Sequence, residues 1–234
     1  MKVTKNGMVY QLAFLPRFFP VNCYLVEEEH TLTLVDAALP YSSKAILATA
    51  AAIGKPITEI LLTHGHQDHV GALDELKRSL PEVVVRISAR DARLLAGDRS
   101  LLPDEGEAPI RGGVPKRVQT RPDCLLQEGE GIGSLQVIAS PGHTPGSMAF
   151  LDLRSRALLA GDAFQTRGGT AVSGTFKLWF PFPAMATWDK EKAMESAEKL
   201  LALEPSLLAV GHGAMLNQPQ SVMQHVIEEG RRGA

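Results

Sequence analysis

Four side chains that can ligate a divalent metal fall within six residues, His64-Gly65-His66-Gln67-Asp68-His69, directly after the apolar run Ile60-Leu61-Leu62. Zinc and similar borderline cations take imidazole nitrogen and carboxylate oxygen, and a turn relaxed by glycine can aim side chains two and three residues apart at one point. A single histidine here would read as a surface or hydrogen-bonded core residue. Four together, where a strand gives way to a turn, read as a loop that holds metal.

Three further apolar runs end in the same way. Residues 135–139 lead into Pro141-Gly142-His143-Thr144-Pro145-Gly146, residues 157–160 into Gly161-Asp162, and residues 207–210 into Gly211-His212-Gly213. Pro-Gly turns on both sides of His143 fix that loop, as a preorganised ligand requires. Only His30 and His225 stand outside these loops. Asp36, after the apolar run at 31–35, is placed either to orient a ligand or to cap a loop.

Along the chain, strands are predicted at 8–15, 22–26, 31–35, 60–63, 83–87, 135–139, 148–153, 157–160 and 207–210, from runs of apolar and β-branched residues between Gly and Pro breaks. Helices are predicted at 41–53, around Leu73, Leu76 and Leu80, at 89–96 and at 187–203. Strand alternating with helix implies an α/β (α+β) chain of helices layered on sheet. Residues 98–121 lose all periodicity and read as a long loop or insertion within a single domain spanning 1–234.

A hydrophobic fraction of 44% suffices for a large core, and a net charge of −2 offers no basic field for nucleic acid or anionic lipid. A small-molecule substrate is therefore expected. The first residues lack a secretory apolar segment and the apolar stretch 45–53 is too short to span a bilayer, which points to the cytoplasm and away from membranes. Cys23 and Cys124 lie apart from the histidine motifs, so a thiolate metal site is not expected, and a disulfide between them stays open.

The succession H-x-H-x-D-H, Pro-Gly-His-Thr, Gly-Asp and Gly-His resembles the metallo-β-lactamase-fold hydrolase superfamily over nearly the whole chain. The resemblance implies a four-layer αββα sandwich with metals at one edge of the paired sheets. It implies that His64, His66 and His143 hold one metal, that Asp68, His69 and His212 hold a second, and that Asp162 bridges them. Zinc is the expected metal, with manganese or iron as alternatives. A hydroxide bridging two cations would then attack an ester-, lactone- or thioester-type carbonyl, with Asp68 as ligand and proton shuttle.

The ligand set resembles that of lactonases, although Gln165 stands where many of those carry tyrosine. The stretch after His212 is too short for the helical domain with which glyoxalase II enzymes hold glutathione. Phe18, Phe19, Phe164, Gln165 and Trp179 are candidates for a substrate wall, and packing in the core is the competing reading of the aromatics. Two other functions fit parts of the motif set: a mononuclear iron dioxygenase acting on persulfides, and a binding module with a structural metal.

Overall fold

The computed structural model describes residues 1–232. Its first half forms a seven-stranded sheet in simple chain order: β1 (Lys2–Asn6), β2 (Val9–Phe14), β3 (Val21–Glu27), β4 (Leu32–Val35), β5 (Ile57–Leu61), β6 (Val84–Ser88) and β7 (Cys124–Leu126). The first four strands are antiparallel and the last four parallel. Parallel neighbours need crossovers. These carry α1 (Ser43–Ile53), α2 (Gln67–Val70), α3 (Leu73–Ser79) and α4 (Ala89–Leu95).

The second sheet contains β8 (Gly131–Ile132), β9 (Leu135–Ala139), β10 (Met148–Asp152), β11 (Ala157–Leu159), β14 (Leu207–Ala209) and β15 (Leu216–Asn217), in the order β15-β14-β11-β10-β9-β8. A separate ribbon pairs β12 (Phe164–Gln165) with β13 (Ala171–Val172). Three helices complete the chain, α5 (Phe182–Ala186), α6 (Lys190–Leu201) and α7 (Gln220–Arg232).

Side-chain alternation shows how the layers stack. In β3, Val21, Cys23 and Leu25 face one way and pack with Ile46 of α1 and Leu73 and Leu76 of α3. Tyr24 and Val26 face the other way and meet Val137 and Phe150 of the second sheet. In β10 and β14, Phe150, Leu207 and Ala209 point to that shared middle layer, whereas Leu151 and Leu208 point outward to Met194 and Leu200 of α6 and Met223 of α7. Each sheet thus buries both faces, one on helices and one on the other sheet. This is the expected αββα sandwich.

Helix α6 begins at Lys190 rather than 187, because the Asp189 carboxylate accepts from the amides of Glu191 and Lys192 at 2.9 and 3.0 Å. Thr187 and Trp188 are thereby left free for other contacts. β1, α5 and α7 escape the sequence reading. β1 is a largely exposed, polar edge strand, and α7 carries its apolar stripe of Met223, Val226 and Ile227 between glutamines and glutamates. Cys23 and Cys124 are both free, Cys23 deep under the first helix layer and Cys124 on the last strand of that sheet. Among the described residues, no helix is long and apolar enough to cross a membrane.

Two ion pairs meet at the end of β3. The Glu27 carboxylate receives Lys55 at 2.9 Å, the Tyr10 hydroxyl at 3.1 Å and Lys5 at 3.3 Å. The Lys55 hydrogen bond, followed by those of Tyr10 and Lys5, outweighs burial and holds this carboxyl at about 2, against an ordinary 4.5. A carboxyl depressed on folding stabilises the fold above its unfolded value, and that stability is lost as pH falls from about 4.5 toward 2. Glu27→Gln should cost about 1 kcal/mol at pH 7, and the difference from wild type should vanish near pH 2. Urea unfolding at both pH values checks this; an equal cost at both would show that the carboxylate charge is not responsible.

Candidate metal centre

The four motif loops meet at one edge of the two sheets. β9, β11 and β14 run in the same direction, so the loops that follow them emerge together, and the loop after β5 faces them from the first sheet. His64, His66, His69, His143, His212 and Asp162 are each at most 5% exposed, and Asp68 is half-buried.

Potential ligand atoms of His64, His66 and His143 lie within 4.8 Å of one another, as do those of Asp68, His69 and His212, and those of His64, His69 and Asp162. Asp162 sits between the first two groups. Its Oδ2 is 3.4 Å from His143 Nε2 and 3.2 Å from His212 Nε2, and its Oδ1 is 3.4 Å from His69 Nε2. Asp68 Oδ2 stands 3.4 Å from His212 Nε2 and 3.9 Å from His69 Nε2. Gly211 makes this approach possible, since a Cβ at that position would lie 2.0 Å from Asp162 Oδ1.

Each imidazole turns one nitrogen inward and secures the other to the protein. His64 Nδ1 meets Thr63 Oγ1 at 3.0 Å, His69 Nδ1 meets Asp36 Oδ2 at 2.8 Å, and His212 Nδ1 meets the Pro20 carbonyl at 2.7 Å. His143 Nδ1 meets Ser173 Oγ at 3.0 Å and Thr187 Oγ1 at 3.3 Å. His66 is reversed: its Nε2 meets the Arg111 carbonyl at 3.0 Å and its Nδ1 faces inward, 3.0 Å from His143 Nε2. Outer partners of this kind fix tautomer and ring orientation in metal sites.

His64 Nε2, His69 Nε2 and Asp162 Oδ1 are buried with no hydrogen-bond partner. Buried polar atoms are normally paired, so three orphans grouped at one centre fit atoms left free to ligate cations. For three of the histidines charge agrees with this. Burial, reinforced by His69, His66 and His143, pushes His64 well below its ordinary value, and burial likewise lowers His66 and takes His143 to about 3. These imidazoles stay neutral and keep their lone pairs. Burial opposes the charge on His69, but Asp162, Asp36 and Asp68 overcome it and raise that imidazole well above its usual range.

Two carboxylates support the loops from behind. Asp36 is held at φ 62°, a left-handed backbone that costs a non-glycine residue of order 1 kcal/mol, and its oxygens accept from the Thr63 amide at 2.8 Å and the Thr63 hydroxyl at 2.8 Å besides engaging His69. Asp36 fills both roles open to it in the sequence, orienting His69 and capping the loop at Thr63. Asp91 on α4 is fully buried and joins the loops of the two halves. It accepts from the amide of Gly65 at 2.8 Å, from Thr144 Oγ1 at 2.7 Å and from the amide of Gly146 at 2.8 Å. Nothing in the sequence singles out Asp91 except the Ser88 cap three residues before it.

The candidate substrate residues separate. Phe19 lies against the centre, its ring 5.3 Å from that of His212 and 5.0 Å from that of Phe182. With Leu39, Pro40, Gln67 and Asp68 it lines a cleft of about 310 Å³. Phe18 and Trp179 are 82% and 84% exposed and stand apart from this wall. Phe164 is in the core beneath α6 and α7, where Ala163 and Val172 surround it. Gln165 is also buried, donating to the carbonyls of Arg167 and Phe180. Leu39, Pro40 and Gln67 escape the sequence reading because neither type nor spacing marks them.

The stretch 98–121 has no regular secondary structure, yet part of it is packed. Ile110 and Val114 form a small core with Leu94 and Trp188, and Trp188 Nε1 donates to the Ala108 carbonyl. From that anchor the loop sends the Arg111 carbonyl to His66 and the Gly113 carbonyl to the Gln67 amide at 2.7 Å.

The model of the metallo-beta-lactamase superfamily matches residues 16–212. The chain is 56% identical to the uncharacterized protein YobT of Bacillus subtilis strain 168 over the full length of both. It is 32% identical to the probable metallo-hydrolase YflN of the same organism, over 89% of this chain and 83% of that one. The crystal structure of TTHA1623 in a di-iron-bound form superposes with a TM-score of 0.67 at 28% identity, over 91% of this chain and 96% of that one.

Proposed function

We propose, for a chain that belongs to the metallo-beta-lactamase superfamily, that it is a binuclear metal-dependent hydrolase acting on an ester-, lactone- or thioester-type carbonyl. The observation that carries the reading is the position of Asp162 between the two histidine groups, with oxygens near His143, His212 and His69. His64, His66 and His143 would hold one ion, Asp68, His69 and His212 the other, and Asp162 both. The ions, with zinc expected and iron or manganese as alternatives, supply Lewis acidity and a water that deprotonates near neutral pH.

The chain's own residues supply the rest. Phe19, Leu39 and Pro40 give the acyl group an apolar wall beside the centre. Asp68 is both half-buried at the centre and part of the cleft wall, so its carboxylate is within reach of a substrate and can carry a proton to the leaving atom. Water adds its hydroxyl to the acyl carbon, the bond to the alcohol oxygen or thiol sulfur breaks, and that group departs with the proton. Ser173 and Thr187 keep His143 turned inward throughout.

Elemental analysis of protein purified without chelator is expected to give about two metal ions per chain, with turnover on members of a panel of lactones, esters and thioesters. A single iron per chain together with oxygen consumption on a persulfide would overturn the reading in favour of a dioxygenase.

A further inference from the structure

The surface does not close beyond the cleft at Asp68. A second cavity, of about 480 Å³, starts at Pro40 and Gln67, which wall the first as well, and runs past Val114 and Pro115 to Lys116 and Arg117. The two together form one groove from the metal centre to a pair of cations on the long loop. Building on the hydrolase reading, we infer that the substrate is an extended acyl compound with an anionic group, carboxylate or phosphate, several bonds from the scissile carbonyl, and that Lys116 and Arg117 bind that group.

The place of two cations on this cavity supports the assignment. Among the described residues 11 of the 24 lysines and arginines lie within ion-pair distance of a carboxylate, so an unpaired cation is common here and it is their place on the groove that sets Lys116 and Arg117 apart. Lys116 and Arg117 are exposed, and among the described residues neither makes such a pair. The one acidic side chain on this wall, Asp74, is already used: its oxygens accept from the amides of Gln119 and Thr120 and from the Thr120 hydroxyl. Two cations against that one carboxylate leave the wall with a net positive charge.

The backbone just before the cations is anchored. Val114, two residues before Lys116, is buried against Leu94 and Trp188, and the Gly113 carbonyl is fixed by the Gln67 amide. At the metal end, by contrast, Phe19, Leu39, Pro40, Gln67 and Asp68 include no cation. The groove is apolar where an acyl carbonyl would sit and basic at its far end. Such a division recognises an amphiphile by both ends.

The test compares monomethyl suberate, whose free carboxylate can reach along the groove, with dimethyl suberate, and a monoester bearing a terminal phosphate with its neutral phosphate triester. For the metal-loaded enzyme, kcat/KM is expected to favour the anionic member of a pair by about tenfold, the size two exposed charges provide. The preference should fall with ionic strength and collapse toward unity in Lys116→Ala/Arg117→Ala. Preference in only one pair identifies the anion as carboxylate or as phosphate. Ratios near one in the wild type, or unchanged in the double variant, would overturn the inference. Calorimetric titration of the same compounds reads the anion preference as affinity and does not depend on turnover. A preference in binding without hydrolysis would therefore count against the hydrolase reading alone, and no preference in binding against the groove.

Discussion

Asp162→Ala should lower hydrolysis by about 10³-fold or more, equivalent to about 4 kcal/mol, and should reduce the metal content to one ion per chain or fewer. Its carboxylate alone stands within 3.4 Å of inward nitrogens from both histidine groups. Burial disfavours the charge on Asp162, but His212 and His69 hold it well below the ordinary carboxylate range, so it is an anion across the working pH range. Removing it leaves His69 and His212, both raised by that anion, without their main counter-charge in a buried site. Asp162→Asn keeps the volume and one acceptor oxygen, and should retain more metal than the alanine variant while still losing most of the activity. Metal analysis and turnover on the same preparations, with circular dichroism to establish folding, make the comparison. Near-normal turnover with two ions in Asp162→Ala would refute the bridging role.

A second large effect is expected from a residue that contacts no substrate. Asp91→Ala removes the acceptor for the Gly65 amide, the Thr144 hydroxyl and the Gly146 amide, all buried. Each unsatisfied buried donor costs about 1–3 kcal/mol, with the three not fully additive, so a loss of about 3 kcal/mol in stability is expected. Metal affinity should fall about 10–100-fold, as it does when an outer partner of a ligand loop is lost. No side chain can substitute easily at the contact, because a Cβ on Gly146 would lie 2.6 Å from Asp91 Oδ1. Asp91→Asn keeps one acceptor and should lie between wild type and alanine in both measurements. Urea unfolding and competition with a chelator read the two effects separately; an alanine variant with wild-type stability and wild-type metal affinity would show that the loops do not depend on this carboxylate.

The cluster of candidate ligands is legible in the sequence because ligands must be of a few residue types and must lie where strands end. His143 between two Pro-Gly turns and Asp162 after Gly161 could be found by that rule alone. The layers were legible for a similar reason: β3 and β10 bury both faces and therefore read as near-continuous apolar runs. Residues whose role comes from position rather than type could not be found. Asp91 resembles any helical aspartate until the fold sets α4 beneath both ligand loops, and Leu39 and Pro40 look like an ordinary strand exit. The aromatics show the opposite difficulty. Phe19, Phe164 and Trp179 look alike in the sequence, yet one lines the cleft, one fills the core and one faces solvent.

The small core that anchors the long loop also makes the protein its own optical probe. The sequence contains two tryptophans: Trp188 is 5% exposed and bound to the Ala108 carbonyl, and Trp179 is 84% exposed. Their emission should differ in wavelength and in access to a soluble quencher. Replacing Trp179 by phenylalanine would leave one fluorophore whose environment depends on residues 108–114, the same stretch that touches His66 and leads to Lys116 and Arg117. Loading of the groove could then be followed in real time on the unlabelled chain, without any chromogenic substrate.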